Sequence, residues 1–127
     1  MTDSDDGLLR RLFGDAGERK WYDEFGVAHE FDPHALEAML TDHNRYCLGC
    51  AGFDDGREVY TVALGISFGI SVTAPVIFET SWKRHGEFQD VLDRYPTRRL
   101  AKAGWWEWLG RFEAGYPADS TPRPSGG

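Results

Sequence analysis

VYTVALGISFGISVTAPVIF, residues 59–78, is an uncharged run between an acidic flank (Asp54, Asp55, Glu58) and a mixed one (Glu79, Lys83, Arg84). From Tyr60 to Val72 every even position is large and apolar, while the odd positions (Thr61, Ala63, Gly65, Ser67, Gly69, Ser71, Thr73) are small or hydroxylated. A period of two marks extended chain with two unlike faces, so the run reads as strand with its large even face turned inward. Even parity continues through Ala74, Val76, Phe78 and Trp82. The expectation is one long bent strand, or two strands divided by an odd-length loop at Ala74-Pro75, because a two-residue loop would switch the inward parity.

The same run has the length of a membrane span, with Gly65 and Gly69 four apart, Tyr60 and Trp82 near its ends and Lys83-Arg84 beyond. Against a single span stand the alternation, the β-branched and hydroxyl content, and Pro75, all of which suit strands.

Upstream lies Asp55-Gly56, read as a two-residue type I′ turn. Pairing Asp54 with Arg57 sets Ala51 opposite Tyr60, Gly49 opposite Val62 and Cys47 opposite Leu64, with Tyr46 covering the backbone bared by Gly65. Before that strand, Asp32 reads as an N-cap and Pro33 as the first helical residue, with Phe31 and Leu36 as a hydrophobic staple. Leu36, Met39, Leu40 and His43 then recur at the spacing of one helix face. A strand or loose hairpin is expected over 21–31. Ser4 caps a first short helix with Leu8, Leu9, Leu12 and Phe13 on one side and Gly14 at its end.

Downstream, Phe88, Val91, Leu92 and Tyr95 fall at i, i+3, i+4 and i+7, which predicts a helix closed by Pro96. Thr97 caps a last helix that gathers Ala101, Gly104, Trp105, Trp108, Leu109 and Phe112 on one face. Trp106 falls on the polar side, and an indole left there is a candidate partner contact. From Tyr116 the chain runs YPADSTPRPSGG, the composition of a flexible tail.

At 127 residues, 41% hydrophobic and 14% aromatic, the chain has material for one packed domain. The reading is a single α+β domain over 1–115 with a tail over 116–127. An antiparallel sheet turned at Asp55-Gly56 packs against three to four helices.

The net charge of −7 is concentrated early: residues 1–34 carry nine acids against four bases. An acidic chain without a dense basic stripe argues against nucleic-acid binding, where phosphate neutralisation supplies most of the affinity. It suits a basic protein partner, with Asp23, Glu24 and Glu30 beside Trp106 as the binding residues. Two cysteines make no disulfide framework and MTDSDDGLL lacks the pattern of a secretory leader, so the expected compartment is cytoplasmic.

Catalytic motifs are poorly supported. Gly65-Ile66-Ser67-Phe68-Gly69 matches G-x-S-x-G, and Glu79 and His85 follow in triad order, but a nucleophile elbow needs a helix directly after the serine. No Walker loop, dinucleotide fingerprint or calcium loop occurs. His43-x3-Cys47-x2-Cys50 has zinc-like spacing, with His29, His34 or His85 as a fourth ligand. In a regular strand, however, Cys47 and Cys50 differ by an odd number and point to opposite faces, which leaves two free thiols and no assigned metal. The expected function is thus a small non-catalytic protein that binds a protein partner, of the inhibitor or immunity type. The rivals are a small enzyme or ligand-binding domain with its pocket between sheet and Trp-rich helix, and a single-span membrane protein using 59–78.

Overall fold

In a computed structural model, residues 20–67 and 75–117 are described. The helix expected from Ser4 to Gly14 and most of the expected tail lie outside them. The described residues form an α+β structure with two antiparallel sheets. Strands β1 (Lys20–Tyr22) and β2 (Ala28–Glu30) make a hairpin; helix α1 (Pro33–Leu40) and the single turn α2 (His43–Tyr46) follow. Strands β3 (Cys47–Gly52), β4 (Arg57–Ala63), β5 (Phe78–Arg84) and β6 (Glu87–Tyr95) form a meander in that spatial order, and α3 (Arg98–Glu113) crosses one face of it.

Local signals set both longer helices. Asp32 accepts from the backbone N–H groups of His34 and Ala35 at 3.1 and 3.2 Å, with Pro33 at the first position. Thr97 accepts from the N–H of Leu100 at 3.2 Å. The expected hairpin over 21–31 also forms, as a sheet of its own that donates one bond to the main body, from Tyr22 N–H to the Gly65 carbonyl at 2.8 Å.

The uncharged run folds back on itself. Its ends belong to β4 and β5, paired from Ala63 opposite Phe78 to Arg57 opposite Arg84, and the described residues contain no helix long and apolar enough to cross a membrane. The inward parity, however, is the reverse of the expected one on β4. Val59, Thr61 and Ala63 are buried on β4, as are Phe78, Thr80 and Trp82 on β5. The small face turns inward because α3 brings the bulk: Trp105, Trp108 and Phe112 pack with Val59 and Trp82 into one cluster. Gly49 lies directly under the Trp105 indole, where a Cβ would overlap the ring. A second cluster joins Trp21, Met39, Ala63, Ile77, Phe78, Tyr95 and Ala101, so α1 and the small hairpin close one end of the core. Helix α1 rather than Tyr46 covers Gly65, which faces Leu36 and takes a φ of +81° that other residues rarely adopt.

Two further corrections concern turns and strands. The β3–β4 turn has three residues rather than two: Phe53 and Arg57 pair, and only Gly56 has positive φ (+89°), which shifts the register by one and sets Ala51 opposite Val59. The helix expected from Phe88 to Tyr95 is strand β6. His85 and Gly86, at φ +52° and +82°, make the two-residue turn that leads into it. Phe88 pairs with Lys83 and Asp90 with Trp82, leaving Gln89 extra; Val91 pairs with Ser81 and Asp93 with Thr80, leaving Leu92 extra. Two bulges break the period of two into a spacing that imitates a helix.

Arg57 joins the turn to the end of α3. It is buried, pairs with Asp55 at 2.7 Å, and donates to the carbonyl of Phe112 at 3.0 Å and to that of Tyr116. Its guanidinium lies 4.6 Å from the Phe53 ring centroid. A cation at the last helical carbonyls is favoured by the helix dipole and satisfies acceptors the helix cannot. Tyr116 closes the same aromatic cluster, 5.0 Å from the Phe112 ring.

Candidate metal centre

The side of the sheet opposite α3 carries the even residues of β4, Glu58, Tyr60 and Val62, by strand alternation. Beside them the chain enters β3 through α2. Asp42 caps this turn by accepting from Asn44 N–H at 3.1 Å. Arg45 anchors it with a two-pronged bond to Glu24, at 2.9 and 3.0 Å. His43 is thereby held at the edge of the sheet, with its ring edge-on to Tyr46 at 5.5 Å.

A bulge then decides the chemistry. Cys47 pairs with Val62 and Gly49 with Thr61, so Leu48 is an extra residue. Leu48 packs into the core and Gly49 faces Trp105. With both inward, Cys47 and Cys50 emerge on the same outer face, and the parity argument against a joint cysteine site does not hold. The ligand atoms of His43, Cys47 and Cys50 all lie within 4.8 Å of one another, a group that could hold a metal ion. The expected fourth candidates His29, His34 and His85 are not in this cluster. His29 stacks on Trp21 at 4.8 Å and pairs with Asp23 at 2.7 Å.

The three ligands line a cleft of about 340 Å³, together with Tyr46, Glu58, Tyr60, Val62 and Lys83. The inner side of the sheet, where the sequence suggested a pocket, is filled by Trp105, Trp108 and Phe112. Burial first, then neighbouring Cys50, pushes the Cys47 thiol up to about 11, so a metal at neutral pH would have to displace its proton. Tyr60 is raised as well, by burial first and then by Glu79 and Glu58.

The remaining expected site residues are scattered. Trp106 is 66% exposed on α3, across the sheet from the cleft, and Glu30 is exposed on β2. Asp23 and Glu24 are committed within the chain: Asp23 accepts from the N–H groups of Phe25 and Val27 besides His29, and Glu24 holds Arg45. Glu58, Tyr60 and Lys83 went unmarked as site residues in the sequence, since Lys83 differs in parity from the other two and joins their face only through the β4–β5 register. Against known proteins, no family model, curated protein or solved structure matches this chain significantly.

Proposed function

We propose that this protein binds zinc through the imidazole of His43 and the thiolates of Cys47 and Cys50. The observation that carries the reading is the convergence of three ligand atoms within 4.8 Å on one face of the sheet. Around tetrahedral zinc such atoms sit about 3.3–3.8 Å apart, given bond lengths near 2.0–2.3 Å. Side-chain adjustments of about 1 Å close the set. Two soft thiolates with one imidazole favour zinc over magnesium, calcium or manganese, which prefer oxygen. The Glu24–Arg45 pair and the Asp42 cap support it by fixing the turn that carries His43.

Metal analysis of purified protein tests the reading. One equivalent of zinc is expected in the unsubstituted chain and less than a tenth of that in Cys47→Ser, Cys50→Ser and His43→Ala. Protein that stays metal-free after incubation with micromolar zinc would overturn it.

A second reading rests on Trp106, whose indole is 66% exposed on the outer side of α3. There the acidic chain would meet a basic protein partner, as a non-catalytic binding protein. Affinity capture with Trp106→Ala as control tests it: loss of a partner supports the reading, and identical captures count against it.

A further inference from the structure

We infer that the cleft is a two-point site for a small molecule carrying a metal-binding donor at one end and an anionic group at the other; this rests on the zinc reading above. Three protein ligands leave a tetrahedral ion one position short. All three line the cleft, and Glu58, the carboxylate among the residues lining it, lies outside their cluster. A ligand in the cleft they line would therefore be placed to take the remaining position.

The second point is Lys83. It stands directly opposite Glu58 in the β4–β5 register, yet it forms no ion pair among the described residues. Its ammonium instead lies over the Tyr60 ring, 5.4 Å from the centroid. Tyr60 is in turn the cross-strand partner of Cys50, so the ammonium overhangs the neighbour of a metal ligand. An ammonium without a carboxylate partner, held over an aromatic face within a cleft, is a ready acceptor for an anion. Two thiolates cancel the charge of the dication, which leaves Lys83 and Glu58 as the charges of the cleft. Tyr46 and Val62 supply apolar wall, and about 340 Å³ suits a small molecule rather than a polymer.

The test uses the full-length protein loaded with Co(II) in place of zinc, and two probes that share a thiol and differ in charge: 3-mercaptopropionate and its methyl ester. Thiolate binding to cobalt is read from the near-ultraviolet charge-transfer band. The acid is expected to bind about tenfold more tightly than the ester, the ratio of one charge-assisted contact. Lys83→Met should bring the ratio to about one with cobalt still bound at one equivalent, and Lys83→Arg should keep it. Glu58→Gln should raise the affinity for the acid more than for the ester. Equal binding of acid and ester to the unsubstituted protein, or a ratio unmoved in Lys83→Met, overturns the inference. So does cobalt loading without any thiol binding, which would mean that the protein itself closes the fourth position. Failure to take up cobalt or zinc at all is a different result, and overturns the metal reading itself.

Discussion

The two faces of the four-stranded sheet are made by the same strands and obey opposite rules. On the α3 side β3 and β4 offer Gly49, Val59, Thr61 and Ala63, β5 adds Phe78 and Trp82, and the helix supplies further volume through Trp105, Trp108 and Phe112. On the other side the strands offer Tyr60, Glu58, Lys83 and two thiols around a cleft. Large side chains therefore do not identify the buried face of β4, whereas on β5 Phe78 and Trp82 do. The buried face is the one that leaves room for a helix already carrying large aromatics.

The largest test of that division is Phe112→Ala. Phe112 is fully buried and touches Phe53, Trp82, Trp108 and Tyr116. Truncation should cost about 3–5 kcal/mol in chemical denaturation, with zinc stoichiometry unchanged in whatever fraction stays folded. A loss below about 1 kcal/mol would mean that the inner face is not the core.

Arg57→Met comes next. The substitution keeps an apolar stem but removes the guanidinium from the Phe53 ring, leaves the carbonyls of Phe112 and Tyr116 without their donor, and breaks the ion pair with Asp55. A destabilisation of about 2–3 kcal/mol is expected, in the range for an unsatisfied buried acceptor together with a lost charge-assisted bond. Equal stability of Arg57→Met and the unsubstituted chain would show that solvent serves those carbonyls as well.

How far the sequence carried these features depends on whether their cause is local. The caps at Asp32 and Thr97 are decided within four residues, and both were legible. The Asp55-Gly56 turn was legible in place but not in length, because two-residue and three-residue turns share the same Gly. What was lost at β6 and at the two cysteines has one physical origin, the bulge. Gln89 and Leu92 disguise β6 as a helix, and Leu48 hides the shared face of Cys47 and Cys50. An extra residue in a strand is defined only against its partner strand, so spacing along one chain cannot reveal it. The metal ligands were therefore visible by type and spacing, while the reason they converge was not.

A smaller effect separates the supports of the cleft from the cleft itself. Burial pushes the Asp23 carboxyl up, but hydrogen bonds from His29 and from the N–H groups of Val27 and Phe25 outweigh it and hold it below its usual range. Glu24 is held low chiefly by Arg45. A carboxyl lowered on folding contributes stability that is present above its unfolded value, near 4, and is lost as pH falls through the lower folded value. Stability should therefore decline with acid below about pH 4, and Asp23→Asn and Glu24→Gln should each flatten that decline, read by denaturation midpoints at a series of pH values. An acid profile unchanged in both variants would remove these pairs as the anchors of the small hairpin and of α2.

The smallest expected effect is also the most discriminating, because it asks whether the outer face contributes to folding at all without its ion. Cys50 is exposed, so Cys50→Ser should change the stability of metal-free protein by less than about 0.5 kcal/mol, as surface substitutions generally do. With zinc at a hundredfold excess over its dissociation constant, the unsubstituted chain should gain about 2.7 kcal/mol from binding to the folded state. Cys50→Ser should gain almost nothing. Paired denaturation curves with and without zinc measure both quantities. A metal-free Cys50→Ser protein as destabilised as Phe112→Ala would mean that the thiols belong to the core, and the contrast between a packed face and a binding face would fail. A zinc gain shared equally by both proteins would place the ion elsewhere in the chain. Only a silent substitution that becomes costly when zinc is present fits strands that spend one face on folding and keep the other for a ligand.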